Sequence, residues 1–335
     1  MKKNSKNSYD YLIIGQGLAG SVLSHLLIMQ GKKVLVLNSY DPRASSYIAC
    51  GIFSPIAGQR IAKIWHAEET SALIFDFYKN LESILGVNFF HPMPYIKLLI
   101  DDELKDFAAR RCKDPSYQGF FESYAYTLNK QEVPALEIKN TGWVHTSLLL
   151  DTYRAYLMRI DSYREERYDE SVCMVQPEGI TYKDVHAEHL IFCNGLAVNQ
   201  NRFFSDVRFY PTKGEILTVR MPAPQDVIIC GNVFVLPIGN NLFHVGATFS
   251  RTYEDLLPSQ AGKDWLCQEL EKIIDVPYEI IDHRVGVRPT TPGHRPIYRW
   301  HDTYKNVAVF SGFGAKGVSY IPYCAQELLR NHTQI

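Results

Sequence analysis

The sequence predicts an α/β protein in which a Rossmann-like, doubly wound domain is interleaved with an α+β domain built on antiparallel sheet. Three observations carry this expectation. Two short apolar runs, residues 11–14 and 34–37, flank a glycine-rich turn and a helical repeat of apolar residues, the opening of a strand–helix–strand unit on a parallel sheet. The middle of the chain instead alternates and turns sharply, as antiparallel hairpins do. A length of 335 residues also exceeds what one hydrophobic core usually serves, which favours two domains.

Taken in order, the run from Tyr11 to Ile14 ends at glycine, as a strand buried on both faces would. Leu18, Val22, Leu26 and Met29 then recur at helical spacing, and Gly31 stands where a helix commonly ends. Val34 to Leu37 is the second strand. From Glu69 to Leu85 an amphipathic helix places Leu73, Phe77, Leu81 and Leu85 on one face, with Gly86 as its stop. Thr146 is expected to cap a helix over 147–159, and His189 to Cys193 to form another buried strand closed by Asn194 and Gly195. Residues 215–220 alternate, and 233–236 and 242–248 flank a Gly239-Asn240-Asn241 turn, which reads as a hairpin. A helix lies within 258–275, and a last short one follows from about Tyr320. The resulting partition is 1–88, 142–207 and 284–335 for the nucleotide-binding domain, and 89–141 and 208–283 for the second, substrate domain.

Composition narrows the function. Lysine plus arginine total 35 against 36 acidic residues, so nothing in the charge favours a nucleic acid or an anionic membrane as partner. The seven cysteines are scattered, odd in number and form no C-x-x-C, which speaks against a disulfide framework and fits a reducing cytoplasm. Lys2, Lys3 and Lys6 before an apolar stretch imitate a signal or anchor. Gly15, Gln16, Gly17, Gly20, Ser21, Ser24 and His25 interrupt that stretch, and a turn and helix explain it better.

The turn Gly15-Gln16-Gly17-Leu18-Ala19-Gly20 is a G-x-G-x-x-G between strand and helix. Its first glycine permits the turn, its second lets backbone approach a pyrophosphate, and its third lets helix and strand pack closely. Phosphates then meet unpaired N–H groups at the positive end of the helix. Where this fingerprint has an acid on the ribose, the chain has Asn38, followed by Ser39. The Asn38 amide oxygen can accept a ribose hydroxyl without charge assistance.

The turn alone suits NAD as well as FAD. Four ordered segments tip the choice, because they resemble the D-amino-acid-oxidase-like family of FAD-dependent oxidoreductases, especially its glycine-oxidase and sarcosine-oxidase branch. Ser45-Ser46-Tyr47-Ile48-Ala49-Cys50-Gly51-Ile52-Phe53 is similar to the family's second FAD segment. His189 to Gly195 resembles its strand before an A-T-G-like turn, and Tyr210-Pro211-Thr212-Lys213-Gly214-Glu215 its entry into the substrate-domain sheet. Gly286-Val287-Arg288-Pro289-Thr290-Thr291, with Ser311-Gly312-Phe313-Gly314-Ala315-Lys316-Gly317 and Val318, resembles its C-terminal signature. The resemblance implies FAD as cofactor. The last segment would lie against the flavin, and Val172 matches the residue whose backbone meets the adenine. Covalent attachment, as in the sarcosine-oxidase branch, needs a cysteine that Phe310 to Gly317 lack, so FAD is expected to be bound noncovalently.

The resemblance also implies a substrate that loses hydride from a carbon bearing an amine, with Arg288 pairing its carboxylate; a structural salt bridge is the competing role for this residue. Lys316 either adds positive charge at the flavin edge or is a solvated loop lysine. Phe234 stands where glycine oxidase has a substrate-contacting tyrosine, and the family's acid after R-P-x-T is replaced by Gly293-His294. Arg60, or Lys63, either guards the pocket mouth or begins a basic surface helix. His186 and His189 form an H-x-x-H, but on a strand such residues point to opposite faces, which disfavours a metal site. The expected partner is thus a small amine or amino-acid-like molecule. An NAD(P)-dependent dehydrogenase and a flavin-binding module without turnover are the alternatives.

Overall fold

The computed structural model describes residues 7–128, 131–223 and 226–332, and two eight-stranded sheets organise them. In the first, five strands run parallel in the order Tyr163–Glu165, Val34–Asn38, Ser8–Ile14, Val185–Phe192 and Val307–Ser311. Alternation along these strands feeds two cores. Tyr11, Ile13, Val34, Val36 and Ile191 pack under the helices Leu18–Met29, Ala67–Leu85, Thr146–Arg159 and Gly317–His332. Leu12, Ile14, Leu35, Leu37 and Phe192 face a second core with Phe203 and Phe204. A parallel strand covered on both sides reads as an unbroken apolar run, which is why 11–14 and 34–37 were recognisable.

The second sheet runs in the order Glu279–Arg288, Thr212–Arg220, Leu242–Gly246, Phe234–Gly239, Ile228–Cys230, Tyr95–Leu98, Gln131–Ile138 and Phe121–Leu128. All neighbours are antiparallel except Ile228–Cys230 with Tyr95–Leu98. The anticipated hairpin is present: Asn240 and Asn241 take φ of +55° and +58°, the backbone of a tight turn that matches strand twist. Its outer face packs Leu217, Val219, Val235, Phe243 and Val245 on Leu266 and Leu270 of the helix Gln260–Glu271. The Ser259 hydroxyl caps that helix by accepting from Gly262 N–H at 3.0 Å.

Several expectations need adjustment. Thr146 is the first helical residue rather than the cap, and its hydroxyl donates to the Ala49 carbonyl at 2.9 Å, fastening the helix to the second FAD-like segment. The final helix starts at Gly317, not Tyr320. The strand Glu279–Arg288 pairs along its length with Thr212–Arg220, so a boundary at 283/284 falls inside a strand of the second sheet. Gly142–Val144 pairs with both Ile52–Phe53 and Phe90–Pro92, a small sheet that stitches the two parts together across 88/89 and 141/142. His186 sits 3.2 Å from the Thr181 hydroxyl, whereas the His189 ring lies against Tyr11 and Trp300. No helix of the described residues is long and apolar enough to cross a membrane.

Candidate active site

The glycine turn is built by close approach. Gly15 has φ +101°, and a Cβ there would stand 2.9 Å from the Cys193 carbonyl oxygen. A Cβ on Gly20 would lie 1.9 Å from the Gly15 oxygen, so Gly20 serves helix–strand packing and does not line the cavity. The helix begins at Gly17 with no side-chain cap and no acid in its first turn. Its amides are therefore open to an anion, apart from Leu18 N–H, which donates to Ser46 Oγ at 3.1 Å. Asn38 lines the cavity and has a structural task besides. Its oxygen accepts from Gln16 N–H at 2.9 Å, and its Nδ2 reaches the Tyr163 hydroxyl at 3.4 Å. It braces the turn from within the protein.

From this turn a cavity of about 920 Å³ runs between the two sheets, at the upper end of the range for small-molecule sites. Gly15, Gly17, Leu18 and Ala19 line it at one side, with Asn38, Ser39, Ser45 and Ser46 beside them. Ala49, Gly51 and Ile52 follow, and Asn194 and Gly195 come from the end of the central strand. Phe313, Gly314, Ala315, Lys316, Gly317 and Val318 line the far side, where the last helix begins and brings its positive end to the cavity. Gly312 does not line the cavity; a Cβ there would strike the Thr291 methyl at 2.6 Å. Val172 is also outside. It is 41% exposed, while Glu166, Arg167, Tyr168 and Glu170 line the cavity in its place. Pairing of Glu165 with Asn38 brings that segment to the ribose end, a long-range contact with no local signal.

At the other end, Arg288 enters from the last turn of its strand. Its guanidinium lies over Gly214, where a Cβ would meet Nη2 at 2.3 Å, and Nη1 donates to the Thr248 carbonyl at 3.3 Å. Thr248 is itself held, its hydroxyl accepting from Glu215 N–H at 2.8 Å. No carboxylate lies within 4 Å of Arg288 among the described residues, which removes the salt-bridge role. Burial lowers the pKa of this guanidinium, opposed by Cys50. The Cys50 thiol is pushed up to about 12 by burial, against the pull of Arg284 and Arg288, so it stays neutral. Lys316 is half-buried, and burial pulls its ammonium below the usual lysine range, with Cys230 opposing. Phe234 lines the cavity beside Tyr95, Ala247 and Leu256, none of which sequence patterns single out. Arg60 is exposed on the turn between Ile56–Ala57 and Ala62–Lys63 and lines no cavity described here. Lys63 is engaged with Glu68 at 2.6 Å and the Ser116 carbonyl at 2.9 Å.

An anion-ready helix start at one end of a long cavity, and a glycine-lined loop with a second helix start at the other, suit a flavin dinucleotide and define an oxidoreductase of the flavin type. The chain belongs to the DAO family: its FAD dependent oxidoreductase model matches residues 10–330. The resemblance in sequence is thereby borne out, with FAD as the cofactor. The chain is 21% identical over 349 residues to the tRNA 5-methylaminomethyl-2-thiouridine biosynthesis bifunctional protein MnmC of Idiomarina loihiensis, covering 95% of this chain and 55% of that protein. It thus spans about half the length of that relative. Among solved structures its fold is similar to glycine oxidase from Geobacillus kaustophilus (TM-score 0.81, 19% identity, covering 98% of this chain and 95% of the other). It is also similar to iminodiacetate oxidase from Chelativorans sp. BNC1 (TM-score 0.79, 19% identity, 95% and 94%).

Proposed function

We propose that this FAD-dependent oxidoreductase oxidises the C–N bond of an amine that carries a carboxylate. The observation that carries this reading is the Arg288 guanidinium, facing the cavity with donors to spare and no acidic partner among the described residues. FAD supplies the hydride acceptor, its N5, when bound. The protein's share is placement: a two-pronged pair with Arg288 fixes the carboxylate, and Thr248, braced by Glu215, sets the direction of the fork. Phe234, Tyr95 and Ile52 add an apolar wall that keeps water from the substrate carbon. Neither Cys50 nor Arg288 offers a ready proton acceptor at neutral pH, which fits a step that depends on position more than on acid–base groups.

Replacing Arg288 with Ala should leave FAD bound and slow anaerobic bleaching of the flavin by a carboxylate-bearing amine about a hundred-fold or more. Unchanged bleaching would remove the anchor. A second reading places the amine on a tRNA nucleoside, and it draws on the printed name of the Idiomarina relative. Bleaching by bulk tRNA but by no free amine would select it.

A further inference from the structure

Beside the flavin-sized cavity lies a second one of about 170 Å³, and Tyr95 lines both. Lys97 points into it. Only 7% of this lysine is exposed, and its Nζ donates to the Gly231 carbonyl at 2.9 Å, Gln59 Oε1 at 3.3 Å and Cys230 Sγ at 3.8 Å. No carboxylate lies within 4 Å of it among the described residues. The nearest acid along the hydrogen-bond chain is Glu269. Gln59 donates to Asn232, and Asn232 to Glu269, which is already paired with Lys272 at 2.6 Å. Lys213 shows the ordinary arrangement: equally buried, it has Glu215 and Asp255 each at 3.6 Å.

Burying an ammonium without a carboxylate partner is costly, and an anion entering the adjoining cavity would offset that cost. We propose that the pocket formed by Lys97, Gln59, Cys230 and Tyr95 is a second anion site, sized for a carboxylate, on the far side of the reaction cavity from Arg288. Its volume, several waters' worth, admits the end of a chain but not a ring system. The Gly58-Gln59-Arg60 turn contributes here after all, through Gln59 rather than Arg60. If the amine reading above holds, the occupant is a second acid group of the substrate. A free carboxylate anion is the other source.

Two measurements separate these. Acetate is titrated calorimetrically into FAD-loaded Arg288→Ala protein, where the first anchor is gone, and into the Arg288→Ala, Lys97→Met double variant. The expected result is binding that weakens about ten- to hundred-fold without the ammonium. Equal binding in both overturns the site, whatever the fate of the amine reading, because no turnover is involved. If the Lys97→Met protein fails to hold FAD, Lys97→Gln, which keeps a donor toward Gly231, carries the comparison. In the second measurement, kcat/KM is taken for N-substituted glycines with one and with two carboxylates. A drop of about ten-fold or more in the two-acid to one-acid ratio on Lys97→Met assigns the site to substrate. An unchanged ratio with lost acetate binding assigns it to a free anion.

Discussion

His25 ties the stability of the nucleotide-binding helix to acid. It is 3% exposed, edge-on to the rings of Phe77 and Tyr153 at 6.0 Å each, and its Nδ1 has no hydrogen-bond partner among the described residues. Burial lowers its pKa from 6.5 to about 4. As pH falls through 6.5 the unfolded chain takes up the proton and the folded one does not. Stability is therefore lost across the window from 6.5 to about 4, and the loss levels off below it. At pH 5 the unfolded state is favoured by a factor of about 30, or about 2 kcal/mol, rising to about 3 kcal/mol below pH 4. His244 is lowered to about 3, by burial first and then by Arg284 and His145, and it pulls in the same direction, so a comparison must isolate His25. Urea unfolding is followed by circular dichroism at pH 7 and pH 5, with FAD fixed at saturation, for the wild type and His25→Leu. The variant should lose about 2 kcal/mol less between the two pH values. Equal losses in both proteins would refute the assignment of a buried, neutral imidazole.

Three further outcomes follow from the site. Gly20→Ala, whose methyl would enter the space of the Gly15 oxygen, should cost about 2 kcal/mol or more and yield protein with little FAD; gel filtration and the flavin spectrum report both, and a stoichiometric yellow product would contradict the packing role. Asn38→Ala removes the brace on Gln16 N–H, so FAD affinity should drop about five- to ten-fold in a fluorescence titration, whereas an unaltered constant would make the brace dispensable. Lys316→Met should retain FAD but shift the flavin midpoint potential downward. In the wild type the same fall should occur as pH rises through the lowered lysine pKa, because deprotonation removes the charge that favours electron uptake; a pH slope identical to the variant's would place Lys316 away from the flavin.

The features legible in the sequence share a physical basis: each is fixed by neighbours a few residues away. The turn from Gly15 to Gly20 needs its glycines for contacts within one strand and one helix. The Asn240-Asn241 turn needs two residues tolerant of positive φ. Arg288 was recognisable from its own short motif and does reach the cavity. What escaped depends on distant pairing. Tyr95 and Lys97 reach their positions because Tyr95–Leu98 joins Ile228–Cys230 in parallel, more than a hundred residues away in the chain. Val172 lies outside the cavity because the wall beside Asn38 is set by the pairing of Glu165 with Asn38. Charge makes Arg60 a candidate for the pocket mouth, yet it stands exposed on its hairpin turn, and it is the neighbouring, equally exposed Gln59 whose side-chain oxygen reaches Lys97. Thr146 has a capping residue's chemistry, but its hydroxyl is spent on Ala49.

Because the parallel sheet gathers strands from residue 8 to residue 311, and the other sheet is drawn from the stretches between, no single cut separates them. The strand Val307–Ser311 completes the parallel sheet beside Val185–Phe192, and the helix after it covers the opening core. During synthesis, then, the first strands must wait for nearly the whole chain before their apolar faces are shielded. A shortened gene product ending before residue 300 would leave that surface bare, and aggregation rather than partial activity is its natural fate.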